Sequence, residues 1–502
     1  MSFRVKSFYV EKGHFSTPVV NLSKNETTNN ENYFTVLIGN NGTGKSRFLV
    51  NLVDSFKNIN ERNSRVDFNY GLEYEINGNT YNIEKNRKQK VLDRFDIKEE
   101  FETSGGRSPD KIIAITTSLS DKFPVEKRNE NKDLELRKKD SYSYLGVRSR
   151  TGAASNRALM DKAMSIMISS INDSSYNEEY RDIFDYLNYE PVLKLEYRVV
   201  LINKDLSYID RLDFRDFKEL IRSRAENRGG FRQSSVIQML ETKDDSYWEE
   251  LADGYFFILN NVNSSNKRRV FTILLNFSLE NINREMDDFG IDEFRFYKIL
   301  EELRRFELVR GPEIKLYKKG GGEFDFNDAS SGEASILSTL IALIPELEDN
   351  SLVVIDEPEI SLHPSWQYRY VNLLDRIMTR KSGCHIFIAT HSHFIISDLP
   401  IGRSYIVHLK KGKKSSIEVE YIEQETQGLS AEDILLNVFD MPSTRNYYLS
   451  QQVSEALEIL ASGEKKNSRY NELVSKFKDY IPNMNKADPL YDVLNKLVNL
   501  GE

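Results

Sequence analysis

Apolar and polar positions follow two different periods along this chain, and the changes of period divide it. Phe3–Tyr9 alternates in the manner of a strand. Phe68–Ile83, with Asn77-Gly78 at its centre, predicts a β-hairpin closed by a type I′ turn. Between them the apolar run Tyr33–Ile38 predicts a strand, followed by a glycine-rich loop and a helix over Lys45–Phe56. Asn21–Asn32 is polar, rich in asparagine, and reads as a loop, while Ile112–Thr117 reads as a further strand.

From about residue 121 to 310 the spacing becomes helical. Arg157–Ile171, Asn177–Leu187, Asp213–Arg224, Phe271–Asp287 and Asp292–Phe306 each carry apolar residues at helical intervals, interrupted by one strand-like run, Val192–Val200. No heptad continues unbroken for three or four repeats, so a compact helical lobe is expected rather than a long coiled-coil arm. Beyond it, Glu313–Tyr317 and Glu323–Phe326 predict a hairpin around Lys318-Lys-Gly-Gly-Gly322, and the apolar helix Ala334–Ile344 is closed by Pro345. Strands over Ser351–Asp356 and His385–Ala389 follow, then a hairpin of Arg403–Leu409 and Ile417–Ile422 joined by Lys410-Lys-Gly-Lys-Lys414. The chain then turns helical, with apolar faces at Val453–Leu460, Tyr470–Lys478 and Leu490–Leu500. The expectation is an α/β core in two parts, 1–120 and 311–428, split by a helical insertion, 121–310, and followed by a helical C-terminal region, 429–502.

Composition narrows the class. With 502 residues, 39 % of them hydrophobic, the chain can bury a large core and divide into two or three units. A single cysteine, Cys384, excludes a disulfide framework and fits a reducing cytosol; at the start of an apolar strand it reads as a packed thiol. No run of about 18 apolar residues occurs and Met1-Ser-Phe-Arg-Val lacks an apolar signal region, so a cytoplasmic protein without a membrane span is expected. The formal charge of −9 argues against a globally cationic nucleic-acid coat. Local basic clusters remain at Arg222-Ser-Arg224 with Arg228 and Arg232, at Lys267-Arg-Arg269 and at Arg137-Lys-Lys139. With acids interspersed, each reads first as a solvated face and second as a DNA contact.

The chemistry is concentrated in Gly39-Asn-Asn-Gly-Thr-Gly-Lys45-Ser46, between a strand and a helix, with the spacing of a P-loop. Asn40, Asn41, Gly42, Thr43 and Gly44 let successive backbone N–H groups curl around a polyphosphate. Lys45, Ser46 and Arg47 open a helix whose positive end faces the same anion. Lys45 would reach the β- and γ-phosphates of ATP, and the Ser46 hydroxyl would ligate Mg²⁺. Far downstream, an apolar strand ends in Asp356-Glu357-Pro358, a Walker B pattern in which Asp356 holds Mg²⁺ through water and Glu357 polarises the attacking water. Ala329-Ser330-Ser331-Gly332-Glu333 opens a helix, and Ile386-Phe-Ile-Ala-Thr-His391-Ser392 is a strand with a histidine at its exit. Taken singly, Ser330–Glu333 is also an ordinary capped helix start and His391 a buried strand-end histidine.

Read in order, these motifs resemble the ABC ATPase set of P-loop, signature, Walker B with catalytic glutamate, and H-loop. Asp356-Glu-Pro-Glu-Ile-Ser-Leu-His363-Pro364 and Ala389-Thr-His-Ser-His393 are similar to the soluble, non-transporter members. Those include SMC and DNA-repair ATPases, the overcoming-lysogenization-defect nucleases, and the ATPase subunits of bacterial anti-phage systems such as Septu and the retrons that carry a Septu-like pair. The resemblance covers residues 1–60 and 325–410, and Lys111–Phe123 with Tyr144-Leu-Gly146 adds to the Septu likeness. Two departures stand out: Ser118-Leu-Ser-Asp121 occupies the place of the usual glutamine, with Ser118 or Asp121 as its substitute, and Ser331 replaces the first signature glycine.

The resemblance implies that the signature residues Ser330, Ser331, Gly332 and Glu333 complete the ATP site of a second chain, giving a head-to-tail homodimer or higher even oligomer. His391 would contact the γ-phosphate. The six histidines lie mostly in these motifs, leaving no pair for an HNH site, and no Asp-x-Asp follows residue 400. The implied role is an ATPase subunit that scaffolds or regulates a separate effector nuclease of HNH type, with a reverse transcriptase and retron nucleic acid as further partners in a retron setting. The competing reading is an SMC or repair ATPase acting directly on DNA; a transporter energy subunit fits less well, given the long insertion.

Overall fold

The computed structural model describes residues 2–24, 30–60, 67–85, 108–118, 121–125, 140–148, 156–168, 176–200, 213–226, 231–265, 268–278, 293–412, 416–439, 441, 446–463, 468–484, 486 and 488–501. They form two compact units, Met1–Gln427 and Gly428–Glu502.

The larger unit is built on a seven-stranded sheet. Its order is Ile417–Ile422, Ser404–Lys411, Tyr33–Ile38, His385–Ala389, Leu352–Asp356, Ile112–Thr116 and Tyr142–Gly146. All neighbours are parallel except the edge hairpin Ser404–Lys411 with Ile417–Ile422. Parallel strands are covered on both faces, and the central runs are buried at every position, which is why they read as unbroken apolar stretches. Register aligns the strand exits: Asp356 pairs with Thr116 and with Ala389, and Ala389 with Leu37. Four loops therefore leave the carboxyl edge of the sheet side by side, where ligands of open α/β sheets bind.

The helix Lys45–Asn60 lies between this sheet and a second, antiparallel one made of Phe15–Ser16, Phe3–Lys12, Asn69–Ile76 and Asn79–Lys85, with Val20–Asn21 paired to Phe3–Lys12. Phe48, Leu49, Leu52, Val53 and Phe56 are fully buried in that layer, each worth about 1.5–3 kcal/mol. Phe3 meets Phe56 and Phe8 meets Phe48 edge to face, at 5.4 and 5.1 Å between ring centres. Asn77 and Gly78 take φ of 54° and 81°, the two left-handed residues a type I′ turn needs.

The insertion holds more strand than its spacing predicts. The start of the expected helix Phe271–Asp287 is strand instead: in Arg268–Asn276, Val270–Asn276 pairs antiparallel with Val192–Val199, and residues 279–287 lie outside the described ones. Val270-Phe-Thr-Ile-Leu-Leu275 is apolar at nearly every position and so satisfies either period. Pairing decides it, burying Phe271, Ile273 and Leu275 while leaving Leu274 40 % exposed. With Asn263–Ser265, Val309–Tyr317 and Glu323–Asp325 these strands make a five-stranded sheet. The same stretch of chain holds the helices Asn156–Ile168, Asn177–Leu187, Phe214–Glu226, Phe231–Thr242, Asp245–Asn260 and Glu293–Arg305, the first of them packed on the helix Ser331–Glu346. Phe231–Thr242 and Asp245–Asn260 are absent from the sequence expectation, although Asp244 caps the second by accepting from the Tyr247 N–H.

Of the basic clusters, Arg222 pairs with Glu219 and Arg224 donates to the Glu307 carbonyl, while residues 137–139, 228 and 267 lie outside the described ones. Cys384 is buried, and burial pushes its thiol up to about 12. The smaller unit has its own core, in which Tyr447–Ala461, Ser468–Tyr480 and Pro489–Gly501 bury Ala456, Tyr470, Leu473, Phe477 and Leu494. Among the described residues, no helix is long and apolar enough to cross a membrane.

Candidate nucleotide site

The loop between Tyr33–Ile38 and Lys45–Asn60 requires glycine at both ends. Gly39 has φ 145° and a Cβ there would lie 2.2 Å from the Leu409 carbonyl oxygen; Gly44 has φ 95° and a Cβ there would lie 2.3 Å from the Phe15 ring. Thr43 closes the turn, donating from its N–H and hydroxyl to the Asn40 carbonyl at 3.2 and 2.9 Å. Asn40, Asn41 and Gly42 are exposed at the rim, as is Arg47, whose guanidinium lies 6.0 Å from the centre of the Phe15 ring.

Lys45 turns inward and is only 4 % exposed. Its ammonium donates to the Gly39 carbonyl at 2.8 Å and lies 2.8 Å from His391 Nε2. Burial lowers its pKa to about 8, against the pull of Glu357, Asp356 and Glu359. His391 is driven down to about 4 by burial and by the Lys45 charge, so near neutrality its ring is uncharged and Nε2 accepts the Lys45 proton. Ser46 donates its hydroxyl to Asp356 Oδ1 at 3.0 Å. Asp356 is nearly buried, and burial raises it to about 7, with the Ser46 bond and Lys45 opposing and Glu357 adding to the rise.

Glu357 leaves the Walker B strand in left-handed backbone, φ 52°. Its N–H donates to the Ala389 carbonyl and its own carbonyl accepts from the Thr117 hydroxyl, both at 2.9 Å. These two bonds hold an unfavourable conformation and aim the carboxylate at the mouth of the site, 3.7 Å from His391 Nε2. Lys45, Ser46, Asp356, Glu357 and His391 thus converge from three loops on one spot.

Of Ser118 and Asp121, which stand in place of the usual glutamine, Asp121 is engaged elsewhere. Asp121 accepts from the Tyr144 hydroxyl at 2.8 Å, from Arg148 at 3.2 Å and from the Phe123 N–H at 3.0 Å, so its carboxylate is committed to a separate buried cluster. Ser118 donates its N–H to Thr116 Oγ1. Thr117, between strand and loop, is the residue that reaches the Walker B turn, and nothing in its local sequence marks it. Glu359 and Gln367 were likewise passed over; Glu359 bonds the H-loop backbone and Gln367 bonds Ser392.

Ser330 and Glu333 form a capping box, with the Ser330 N–H donating to Glu333 Oε2 at 2.8 Å and the Glu333 N–H to Ser330 Oγ at 3.2 Å. Ser330 and Ser331 are exposed, while Gly332 packs so closely that a Cβ would lie 2.2 Å from the Ser361 carbonyl oxygen. Among the described residues the signature shares no hydrogen bond with the P-loop of its own chain. Beside it opens a cleft of about 460 Å³ lined by Asn188, Tyr189, Lys318, Glu333, Trp366 and Arg369.

Hard oxygen donors meet at Ser46 and Asp356, the set Mg²⁺ takes when substrate phosphates supply the other ligands. Among the described residues no group of three or more His, Cys, Asp or Glu is arranged to hold a metal by itself.

Known proteins similar to this chain are partial matches. It is 24 % identical to the Septu protein PtuA of Bacillus thuringiensis over 257 residues, 47 % of this chain and 62 % of that one. It is 31 % identical to protein ea59 of Escherichia phage lambda over 130 residues, 26 % of this chain and 24 % of that one. The chain therefore spans less than two thirds of either relative. Among solved structures, the SMC head domain from Thermotoga maritima aligns with 84 % of this chain and 100 % of its own at 11 % identity, with a TM-score of 0.28. The Pyrococcus furiosus Smc head domain bound to the C-terminal domain of ScpA aligns with 84 % and 96 % at 10 % identity, with a TM-score of 0.33. Likeness that slight carries no argument. Residues 34–397, well over half the chain, match the family model described as AAA domain, putative AbiEii toxin, Type IV TA system, and the chain belongs to that family of nucleotide-binding ATPases.

Proposed function

We propose that the chain is the ATP-hydrolysing subunit of a bacterial anti-phage complex, which closes head to tail with a second copy around ATP and controls a separate effector nuclease. The observation that carries the enzymatic part is the convergence of Lys45, Ser46, Asp356, Glu357 and His391. The likeness to the Septu protein supports the defence setting.

ATP lies with its phosphates over Gly39–Ser46. Backbone N–H groups and the positive end of the following helix take up negative charge, and Lys45 swings from the Gly39 carbonyl to the β- and γ-phosphates. Ser46 and Asp356 would hold Mg²⁺, which would supply neutralisation of phosphate charge. Glu357, presented by its left-handed turn, accepts a hydrogen bond from the attacking water and orients it. Once released by Lys45, neutral His391 takes the tautomer with its proton on Nε2 and donates that N–H to a γ-phosphate oxygen. Most of the rate comes from positioning and charge stabilisation.

The signature supplies the geometric reason for a second copy. Ser331 stands exposed at the N-terminus of a 16-residue helix buried along most of its length, which leaves its hydroxyl for a phosphate held by another chain, while exposed Ser330 caps that helix. Phosphate-release kinetics on the purified chain, with light scattering of Glu357→Gln with and without Mg-ATP, test the proposal. Turnover in wild type and an ATP-dependent doubling of mass in the variant are expected. No phosphate release together with unchanged mass would overturn it.

A further inference from the structure

Asp356-Glu-Pro-Glu359 packs three carboxylates into four positions, and the mechanism above uses two of them. The third, Glu359, turns away from the water-facing side. Its Oε1 accepts the backbone N–H of His391 at 2.5 Å. The same carboxylate also interacts with the Thr390 hydroxyl, at the start of the same loop, and burial pushes its pKa up. A second bridge runs alongside. Gln367 Nε2 donates to the Leu362 carbonyl at 2.9 Å and to the Glu359 carbonyl at 3.4 Å, while Gln367 Oε1 accepts the Ser392 hydroxyl at 2.6 Å. Ser392 in turn caps the short helix His393–Ile396. The loop carrying His391 is thus tied on both sides to the turn that follows Asp356.

The tie matters because of what happens to Lys45. The His391 ring lies against the Lys45 ammonium, 2.8 Å from Nε2. Phosphates compete for that ammonium, and once it leaves, the imidazole depends on its backbone for direction. The residue sits in irregular chain between the strand end Ala389 and the helix start His393, where no ladder fixes it. A charge-assisted bond to the His391 N–H is the strongest anchor available there. We propose that Glu359 is a positioning residue: its carboxylate clamps the His391 backbone and keeps the imidazole directed at the γ-phosphate after Lys45 has let go.

The proposal rests on the ATPase reading, and two readouts separate their failures. The chain has six histidines, so protein labelled with [15N]histidine gives a short list of backbone amide resonances, and His391→Gln identifies the one from His391. In Glu359→Ala that resonance moves upfield and the others hold; Glu359→Gln, which keeps an acceptor, leaves it close to wild type. In steady-state hydrolysis Glu359→Ala lowers kcat about ten- to a hundredfold, the loss of one charge-assisted hydrogen bond, with KM little changed. Glu359→Gln recovers most of the rate. Should the alanine variant unfold, Glu359→Met, similar in volume and without an acceptor, repeats the comparison. An unmoved His391 amide overturns the clamp, and a wild-type kcat in a variant whose amide has moved overturns its role in positioning. A wild type that releases no phosphate defeats the ATPase reading, and with it the positioning role, while the amide still decides the clamp itself.

Discussion

Lys45 and His391 stand 346 positions apart in sequence and 2.8 Å apart in space. The lysine belongs to the loop after Tyr33–Ile38 and the histidine to the loop after His385–Ala389, so their contact reports that these two loops are already in register. Because His391 is held uncharged, the pair is a hydrogen bond and not a repulsion between two cations.

Nucleotide binding and hydrolysis are expected to separate at Lys45 and Glu357. Lys45→Ala removes a buried ammonium from a site of reduced dielectric, and affinity for ATP, measured by titration of a fluorescent analogue, should fall by tenfold or more. Glu357→Gln should bind like wild type and release phosphate at least about a hundredfold more slowly. Normal turnover in that variant would remove Glu357 from the mechanism.

Ser330→Arg tests the shared site. Arginine at this exposed N-cap puts bulk and positive charge where the neighbour's phosphate is expected, while leaving the chain's own P-loop untouched. Alone it should be inactive. Mixed with Lys45→Ala it should regain activity at no more than one site per dimer. Normal hydrolysis by Ser330→Arg alone would exclude an arrangement in trans.

Gly332→Ala should damage the same region from within. The new Cβ meets backbone at 2.2 Å, so either the signature helix or the Ser361 turn must shift, at about 1–3 kcal/mol. A lowered melting temperature with reduced turnover is expected. A variant as stable and as active as wild type would show that the contact is easily relaxed.

His385 predicts a pH dependence of stability remote from the site. Its Nδ1 accepts the Val5 N–H at 3.0 Å, and its Nε2 lies 2.8 Å from Thr35 Oγ1, a hydroxyl whose own proton goes to the Leu22 carbonyl. Both ring nitrogens are thus used by the neutral form, and burial with the charges of Arg4 and Lys6 holds the pKa well below 6.5. With the folded pKa depressed, the unfolded chain binds the extra proton below pH 6.5, so stability is full above that value and is lost as pH falls. The slope contributed is at most about 1.4 kcal/mol per pH unit. Urea unfolding of wild type and His385→Gln from about pH 5 to 7.5 should show a steeper fall in wild type. Equal slopes would contradict this account.

Removing residues after Gly428 should leave a folded ATPase, because Met1–Gln427 is a compact unit by itself. With the tail as the docking surface, where Tyr447, Tyr448 and Leu457 are exposed, the truncated chain keeps turnover and loses capture of the neighbouring gene product. Capture undiminished by truncation would move the docking surface to the insertion.

What the sequence determined by itself was whatever local chemistry dictates. Glycines at 39, 42 and 44 announce a loop with left-handed backbone, Asn77-Gly78 a tight turn, and wholly apolar runs a sheet covered on both faces. The candidate residues Lys45, Ser46, Asp356, Glu357 and His391 were legible because each sits next to such a signal. Phe271–Asp287 reads as a helix in sequence because the apolar run at its start carries no period, and only pairing with Val192–Val199 makes Arg268–Asn276 a strand. Asp121 looked available because sequence shows a carboxylate but not its partners, Tyr144 and Arg148. Thr117, Glu359 and Gln367 could not be assigned for a related reason. Their parts in the site are single hydrogen bonds to residues up to 240 positions away, created when parallel strands distant in sequence bring their exits together.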